Sequence, residues 1–190
     1  MAVRTIARLH EHRRWVNQGL LDSAESLSDI QLHQSFSIGQ GSIWRSLVHL
    51  YAAEYVWLEA LQGNESPVLP GDLAEALPGN QQGEGGIRSL EDLKQKWNAQ
   101  EQRWIEYLDQ LSPEMLDELV CKISTSSGKG RIHQTRREDI LLHVCTHAQY
   151  TTAQVVNMLR QLDVATLPAT MLITLARTQM ASQADLDQST

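Results

Sequence analysis

The chain has 190 residues and a formal net charge of −7 at pH 7. That length suits one domain with a sizeable buried core, so we expect residues 1–190 to form a single domain. The negative charge argues against a protein that grips duplex nucleic acid, because phosphate contacts need a basic surface.

Cysteine content and hydropathy indicate the compartment. Cys121 and Cys145 are too few for a disulfide framework, which fits a reducing cytoplasm. The first residues lack the apolar run of a signal peptide, and no stretch has the apolar length of a membrane span. We therefore expect a cytoplasmic protein that makes no contact with a membrane.

Apolar residues at helical spacing predict the first two long helices. The first covers residues 4–27, and its two histidines, His10 and His12, point to different sides and cannot pair, so we expect both to be solvated or edge residues. The second covers residues 42–62 and is apolar almost all round. Such a helix is typical of a position among several other helices.

Two polar residues of the second helix need an explanation. Glu54 lies on its apolar stripe, and a buried carboxylate requires a partner. That partner is an arginine or a metal-binding histidine, unless the side chain reaches the edge of the bundle. His49 lies on a different face, where mostly small residues allow another helix to approach closely.

The middle of the chain alternates between irregular and regular segments. Residues 64–88 are rich in glycine, proline and acidic residues, which predicts a long surface loop. Ser89 is the expected N-cap of a third long helix that ends near residue 111. Two short β-like runs around Ser127-Gly128 then predict a hairpin-like excursion, with Thr135 capping the helix that follows.

Residues 139–162 predict the last long helix, on which His143, His147 and Gln154 fall within an arc of about 40°. Imidazoles four residues apart on one helical face can share a metal ion, although two alone hold it poorly. The other interpretation is that these histidines are packed and hydrogen-bonded. A further short helix is expected from residue 168, followed by a frayed tail over residues 181–190.

These segments resemble the DinB-like (DinB/YfiT-like) family of metalloenzymes. Trp15 and Asn17 in HRRWVNQGLL resemble the family's first-helix signature, and SIWRSLVHLYAAEYVWLEALQG resembles its second helix. DILLHVCTHAQYTTAQVVNMLRQL resembles the last helix, and DVATLPATMLI the C-terminal segment. The resemblance implies an all-α fold: a four-helix bundle, here with the hairpin-like excursion before the last long helix and an extra C-terminal helix. It also implies a homodimer and a divalent metal held by one histidine from the second helix and two from the last.

Carried over residue by residue, the family's metal site is incomplete. His49 matches the second-helix ligand and His147 the first ligand of the last helix, but the remaining ligand position is occupied by Thr151. A hydroxyl is a poor ligand for zinc or nickel beside imidazoles. Two outcomes stay open. His143 replaces the lost ligand, so that His49, His143 and His147 hold the ion, or the site is degenerate and His49 and His147 form a polar pair bridged by water or by Gln154.

The resemblance implies a hydrolase, or a thiol transferase or isomerase, that depends on nickel or zinc. An open metal position would activate a small thiol or water, and Tyr150 or Glu54 would assist. The alternative is a non-catalytic, stress-associated dimer whose metal site has decayed and holds no ion. The expected partners are a second copy of the chain and a small thiol or other small molecule, and not nucleic acid.

Overall fold

The computed structural model describes residues 1–74, 76, 78–125 and 129–187, without the side chains of residues 186 and 187. The expected turn at Ser127-Gly128 and the last three residues of the expected tail lie outside the described residues. Within the described part, no helix is both long enough and apolar enough to cross a membrane.

Four long helices make up most of the fold. They are α1 (Ala2–Glu25), α3 (Ile43–Leu61), α4 (Leu90–Asp109) and α5 (Arg137–Gln161). Two further helices, α2 (Asp29–His33) and α6 (Leu172–Asp187), and a 3-10 turn at Glu114–Asp117 complete the helical elements described. Residues 181–187, expected to be frayed, therefore lie in the last helix.

The predicted hairpin-like excursion is a two-stranded antiparallel sheet. Strand β1 (Leu119–Ile123) pairs with β2 (Ile132–Arg136), and Leu119 lies opposite Arg136 at the open end. The expectation of an all-α fold is therefore wrong in the strict sense, and the chain is mostly helical with this small sheet. The expected cap at Thr135 is also wrong, because β2 continues through it to Arg136 and α5 begins at the next residue.

Serine caps begin both α3 and α4, and the cap at Ser89 confirms the prediction. The Ser42 hydroxyl accepts a hydrogen bond from the backbone N–H of Arg45 at 3.1 Å, and the Ser89 hydroxyl does the same for Asp92 at 3.1 Å. Each cap satisfies one of the backbone N–H groups that have no partner inside the helix. Local sequence thus sets where these two helices start.

Helix α5 packs against both α1 and α3, and α4 contacts the same two helices from the other side. The predicted apolar face of α5 is buried, including Leu141, Val155 and Leu159. Cys145 is buried there too, and burial raises the pKa of its thiol to about 12. A thiol protonated at neutral pH is a poor nucleophile, so Cys145 serves as a small core residue.

The two histidines of α1 are buried, so the expectation that they are solvated or edge residues is wrong. The Nε2–H of His10 donates to the backbone oxygen of Leu141 at 3.1 Å, and its ring packs on Trp104 with centroids 4.9 Å apart. His12 Nε2 lies 2.9 Å from the backbone oxygen of Thr170. They point to different sides, as expected, but neighbouring segments of the chain cover both sides.

The loop of residues 64–88 is held by a small polar network. Gln81 is buried and donates through its side-chain amide to Asp72 Oδ1 at 2.6 Å, while its Oε1 accepts from the backbone N–H of Ile87 at 2.7 Å. The same loop brings Gly79 against α3, where a Cβ would lie 3.5 Å from the His49 Cα. The expected surface excursion therefore reaches the helix that carries His49.

Candidate functional site

A cleft of about 570 Å³ opens between α3, the start of α5 and the β-hairpin. Its polar wall includes four histidines, His49, His133, His143 and His147. Apolar side chains such as Val56, Trp57 and Ile140 form much of the rest, and Pro78 of the long loop closes one side. A concave site with mostly apolar walls and a few converging polar groups is typical of small-molecule binding.

His49 of α3 and His147 of α5 meet across the interface of their helices. Their Nε2 atoms are 3.2 Å apart, and their ring centroids are 5.1 Å apart at an angle of 62°. Two imidazoles on one tetrahedral zinc ion would place their nitrogens roughly 3.3 Å apart. The spacing therefore suits either one shared proton or one shared ion. The contact is direct, so neither water nor Gln154 is needed to bridge the pair.

His143 lies one turn before His147 and lines the same cleft. Its ring centroid is 5.8 Å from that of His147, and its ring stands edge-on to Trp57 with centroids 5.3 Å apart. However, no group of three or more His, Cys, Asp or Glu side chains within the described residues is placed to hold a metal ion. The donor set thus fits an ion in part, with two imidazoles converging and the third beside them.

Burial makes all three imidazoles favour the neutral form. It lowers the pKa of His49 and of His143, and it lowers the pKa of His147 to about 4, with the charges of the other two histidines adding to the effect. A neutral imidazole keeps one nitrogen lone pair free, which is the form that binds a metal. At neutral pH these rings therefore stay unprotonated, with a lone pair available for a metal ion or for a hydrogen bond.

The side chains one and two turns further along α5 do not line this cleft. Thr151 is buried in the core with 2% of its surface exposed. Gln154 packs on Gly39, so closely that a Cβ added there would lie 2.3 Å from its Oε1. Thr151 and Gln154, the positions at which the resemblance implies a ligand and a glutamine, thus face the interior and a neighbouring loop.

The two residues expected to assist catalysis lie elsewhere. Glu54 is buried in an ion pair with Arg13, and Trp97 Nε1–H donates to its Oε2 at 3.1 Å. Of the partners considered for Glu54, the structure therefore provides the arginine. Tyr150 is 70% exposed on α5, outside the cleft wall.

Sequence reasoning missed the contribution of the hairpin to the cleft. Lys122 and His133 lie opposite each other in the β1–β2 register, and both line the cleft. His133 is exposed and lines this site. The two-residue repeat of a strand places Val120, Lys122 and Ser124 on one face, which is the available signal. It does not say which helices that face covers.

Comparison with known proteins identifies the family of this chain. A model of the family described as "DinB family" matches residues 1–184. A curated protein named Protein DinB, from Bacillus subtilis (strain 168), is 28% identical over 161 residues. That match covers 85% of this chain and 88% of the relative.

Proposed function

Because the chain belongs to the DinB family, we propose that it is a divalent-metal-dependent enzyme that acts on a small molecule in the cleft. The reaction class is hydrolysis, or transfer or isomerisation of a thiol. The observation that supports this proposal most is the 3.2 Å approach of the two Nε2 atoms of His49 and His147 from separate helices. Half-buried, neutral imidazoles facing each other on a ligand-sized cleft are what a metal site requires.

In this proposal the ion is nickel or zinc, and His49 and His147 are its first two ligands. His143 is the third, in place of the histidine that the family pattern puts at Thr151. A bound divalent ion would lower the pKa of a thiol or water, so that the nucleophile forms at neutral pH. Trp57 and Val56 cover one side of the histidines with apolar surface, which restricts water around the reacting groups.

A second candidate function is a non-catalytic, stress-associated member of the family with a degenerate site. The absence of a three-ligand group among the described residues favours it, as does the hydroxyl at the family's third position. In that case His49 and His147 share a proton and the pair stabilises the contact between α3 and α5. The cleft would then bind a ligand without converting it.

Metal content separates the two candidates. The purified protein is reconstituted with nickel or with zinc, desalted and measured by elemental analysis, alongside His147→Ala, His49→Ala and the exposed, off-cleft control His33→Ala. The enzyme proposal expects about one ion per chain in the native protein and the control, and loss of the ion in the other two variants. Absence of stoichiometric metal from the reconstituted native protein would leave the degenerate site as the better account.

His143→Ala tests the third ligand separately. If His143 binds the ion, its removal weakens metal affinity by at least about tenfold, the loss that even outer partners of a metal commonly cause. Unchanged affinity would mean that His143 is a packed neighbour of Trp57. We also propose that the chain forms a homodimer, which light scattering on the eluting protein tests directly.

A further inference from the structure

Lys122 is a buried cation in the wall of the cleft. Its residue is 8% exposed, and its Nζ lies 5.3 Å from the centre of the Trp57 ring. Among the described residues, the Nζ donates one hydrogen bond, to the backbone oxygen of Ile123 at 3.2 Å. An ammonium group has three N–H donors, so the bond to Ile123 and the contact with the Trp57 ring leave part of its hydrogen-bonding capacity unused.

Lys122 takes part in none of the ion pairs found among the described residues. The lysines of α4 behave differently: Lys94 pairs with Glu25 and Lys96 with Asp92, and both lysines are partly exposed. A buried charge without an opposite charge is unfavourable. Consistent with this, burial lowers the pKa of Lys122. An anion bound in the cleft would supply the missing partner.

The surroundings of Lys122 also suit an oxyanion. His133 lies directly across the β1–β2 register, and Thr135, whose side chain carries a hydroxyl group, lines the same cleft. These groups can donate hydrogen bonds to a carboxylate or a similar group. The rest of the wall includes Trp57 and Ile140, which favour an apolar body attached to that anionic end.

We propose that Lys122 binds an oxyanion, in the first place a carboxylate, carried by the small molecule that occupies the cleft. The inference that this molecule is the substrate rests on the proposed function, whereas the binding itself needs no metal ion. The site would therefore select organic anions with an apolar portion. Lys122 is a specificity-determining residue in this assignment and takes no part in the chemical step.

The test uses metal-free protein, so that a bound ion cannot attract the anion in place of Lys122. The probe is 1-anilinonaphthalene-8-sulfonate, a fluorescent organic oxyanion, and the matched probe is N-phenyl-1-naphthylamine, which lacks the charged group. Native protein is compared with Lys122→Met, Lys122→Gln and Lys122→Arg, and with the surface control Lys96→Met. Circular dichroism shows which variants fold. Two neutral substitutions are made so that the test still works when one of them does not fold.

Loss of the charge at Lys122 should weaken binding of the sulfonate by about tenfold or more, as for a lost hydrogen bond to a charged group. Binding of the neutral probe should change less than about twofold, and Lys122→Arg and Lys96→Met should resemble the native protein. Displacement by propionate identifies the carboxylate preference, and displacement by inorganic phosphate a preference for phosphate.

Equal weakening of both probes, unchanged sulfonate binding in the neutral variants, or displacement by neither anion would overturn the proposal. Metal content of the native protein is measured on the same preparation. If the native protein binds no metal but its anion binding depends on Lys122, only the enzyme proposal is contradicted. If it binds metal but its anion binding does not depend on Lys122, only the assignment of Lys122 is contradicted.

Discussion

Arg13 of α1 and Glu101 of α4 form a two-point ion pair in the interior, with Nη1–Oε1 and Nη2–Oε2 distances of 2.7 Å each. The same guanidinium also donates to Glu54 of α3, whose second oxygen accepts from Asn17 Nδ2 at 2.8 Å. One buried cation therefore joins three helices through two carboxylates. Both carboxylates raise the pKa of Arg13, while burial acts in the opposite direction.

Replacing Arg13 by methionine should destabilise the protein strongly. Glu54 and Glu101 would remain buried without their cation, and breaking a buried ion pair in this way typically costs about 3–5 kcal/mol. Urea unfolding followed by circular dichroism measures the change. The matched control is Arg103→Met, which removes a partly exposed pair with Glu59 and should cost no more than about 1 kcal/mol. Similar losses for both variants would contradict a special role for the buried pair.

The protein should lose stability as the pH is lowered because of His10. Burial, with the charge of Arg13 adding to it, lowers the pKa of His10 to about 3, against an ordinary value of 6.5. Between those values the unfolded chain binds a proton that the folded protein does not, so stability rises with pH there by about 1.4 kcal/mol per unit. This contribution is present above pH 6.5 and is lost as the pH falls toward 3.

His10→Gln isolates that contribution, since an amide can still donate to the Leu141 carbonyl. The free energies of unfolding of the native protein and the variant should approach each other as the pH is lowered from 7 to 4, because only the native protein loses the histidine contribution. Urea titrations at a series of pH values provide the measurement. A difference that stays constant over this range would show that His10 does not carry the pH dependence.

The long loop should depend on Gly71. Its φ is +87°, and a Cβ added there would lie 2.5 Å from the Gly86 Cα. Gly71→Ala therefore combines left-handed strain with a clash against backbone. Gly85→Ala is the matched control, because its φ is +74° and nothing lies within 4 Å of an added Cβ. We expect the control to cost about 1–2 kcal/mol and Gly71→Ala clearly more, measured by urea unfolding. Equal losses in the free energy of unfolding would mean that the two loop segments at Gly71 and Gly86 can separate without destabilising the protein.

Thr151→His should restore metal affinity if the family's ligand position carries over to this chain. Titration with nickel or zinc should show tightening of at least about tenfold over the native protein. The neighbouring substitution Thr152→His is the control, since Thr152 is equally buried, at 2% exposed, but is rotated by about 100° on α5. Tightening in both variants, or in neither, would contradict the carry-over of the family's ligand position to Thr151.

Much of the helical framework could be predicted from local pattern. Apolar spacing located the four long helices to within a few residues, and Ser42 and Ser89 marked the starts of two of them. The same spacing placed His143 and His147 on one edge of α5, and both line the cleft. These features depend on residues within a few positions of one another, so they can be read from short windows of sequence.

The contacts between polar side chains depend on how whole helices and strands pack together. His49 and His147 are 98 positions apart, and the 3.2 Å between their nitrogens follows from how α3 and α5 cross and rotate. The folding of the hairpin over the helices likewise brings Lys122 to the cleft, and the packing of α5 on α1 buries His10. The periodicity of an isolated segment shows which of its faces is apolar but not which neighbour covers it, because that choice belongs to the packed core as a whole.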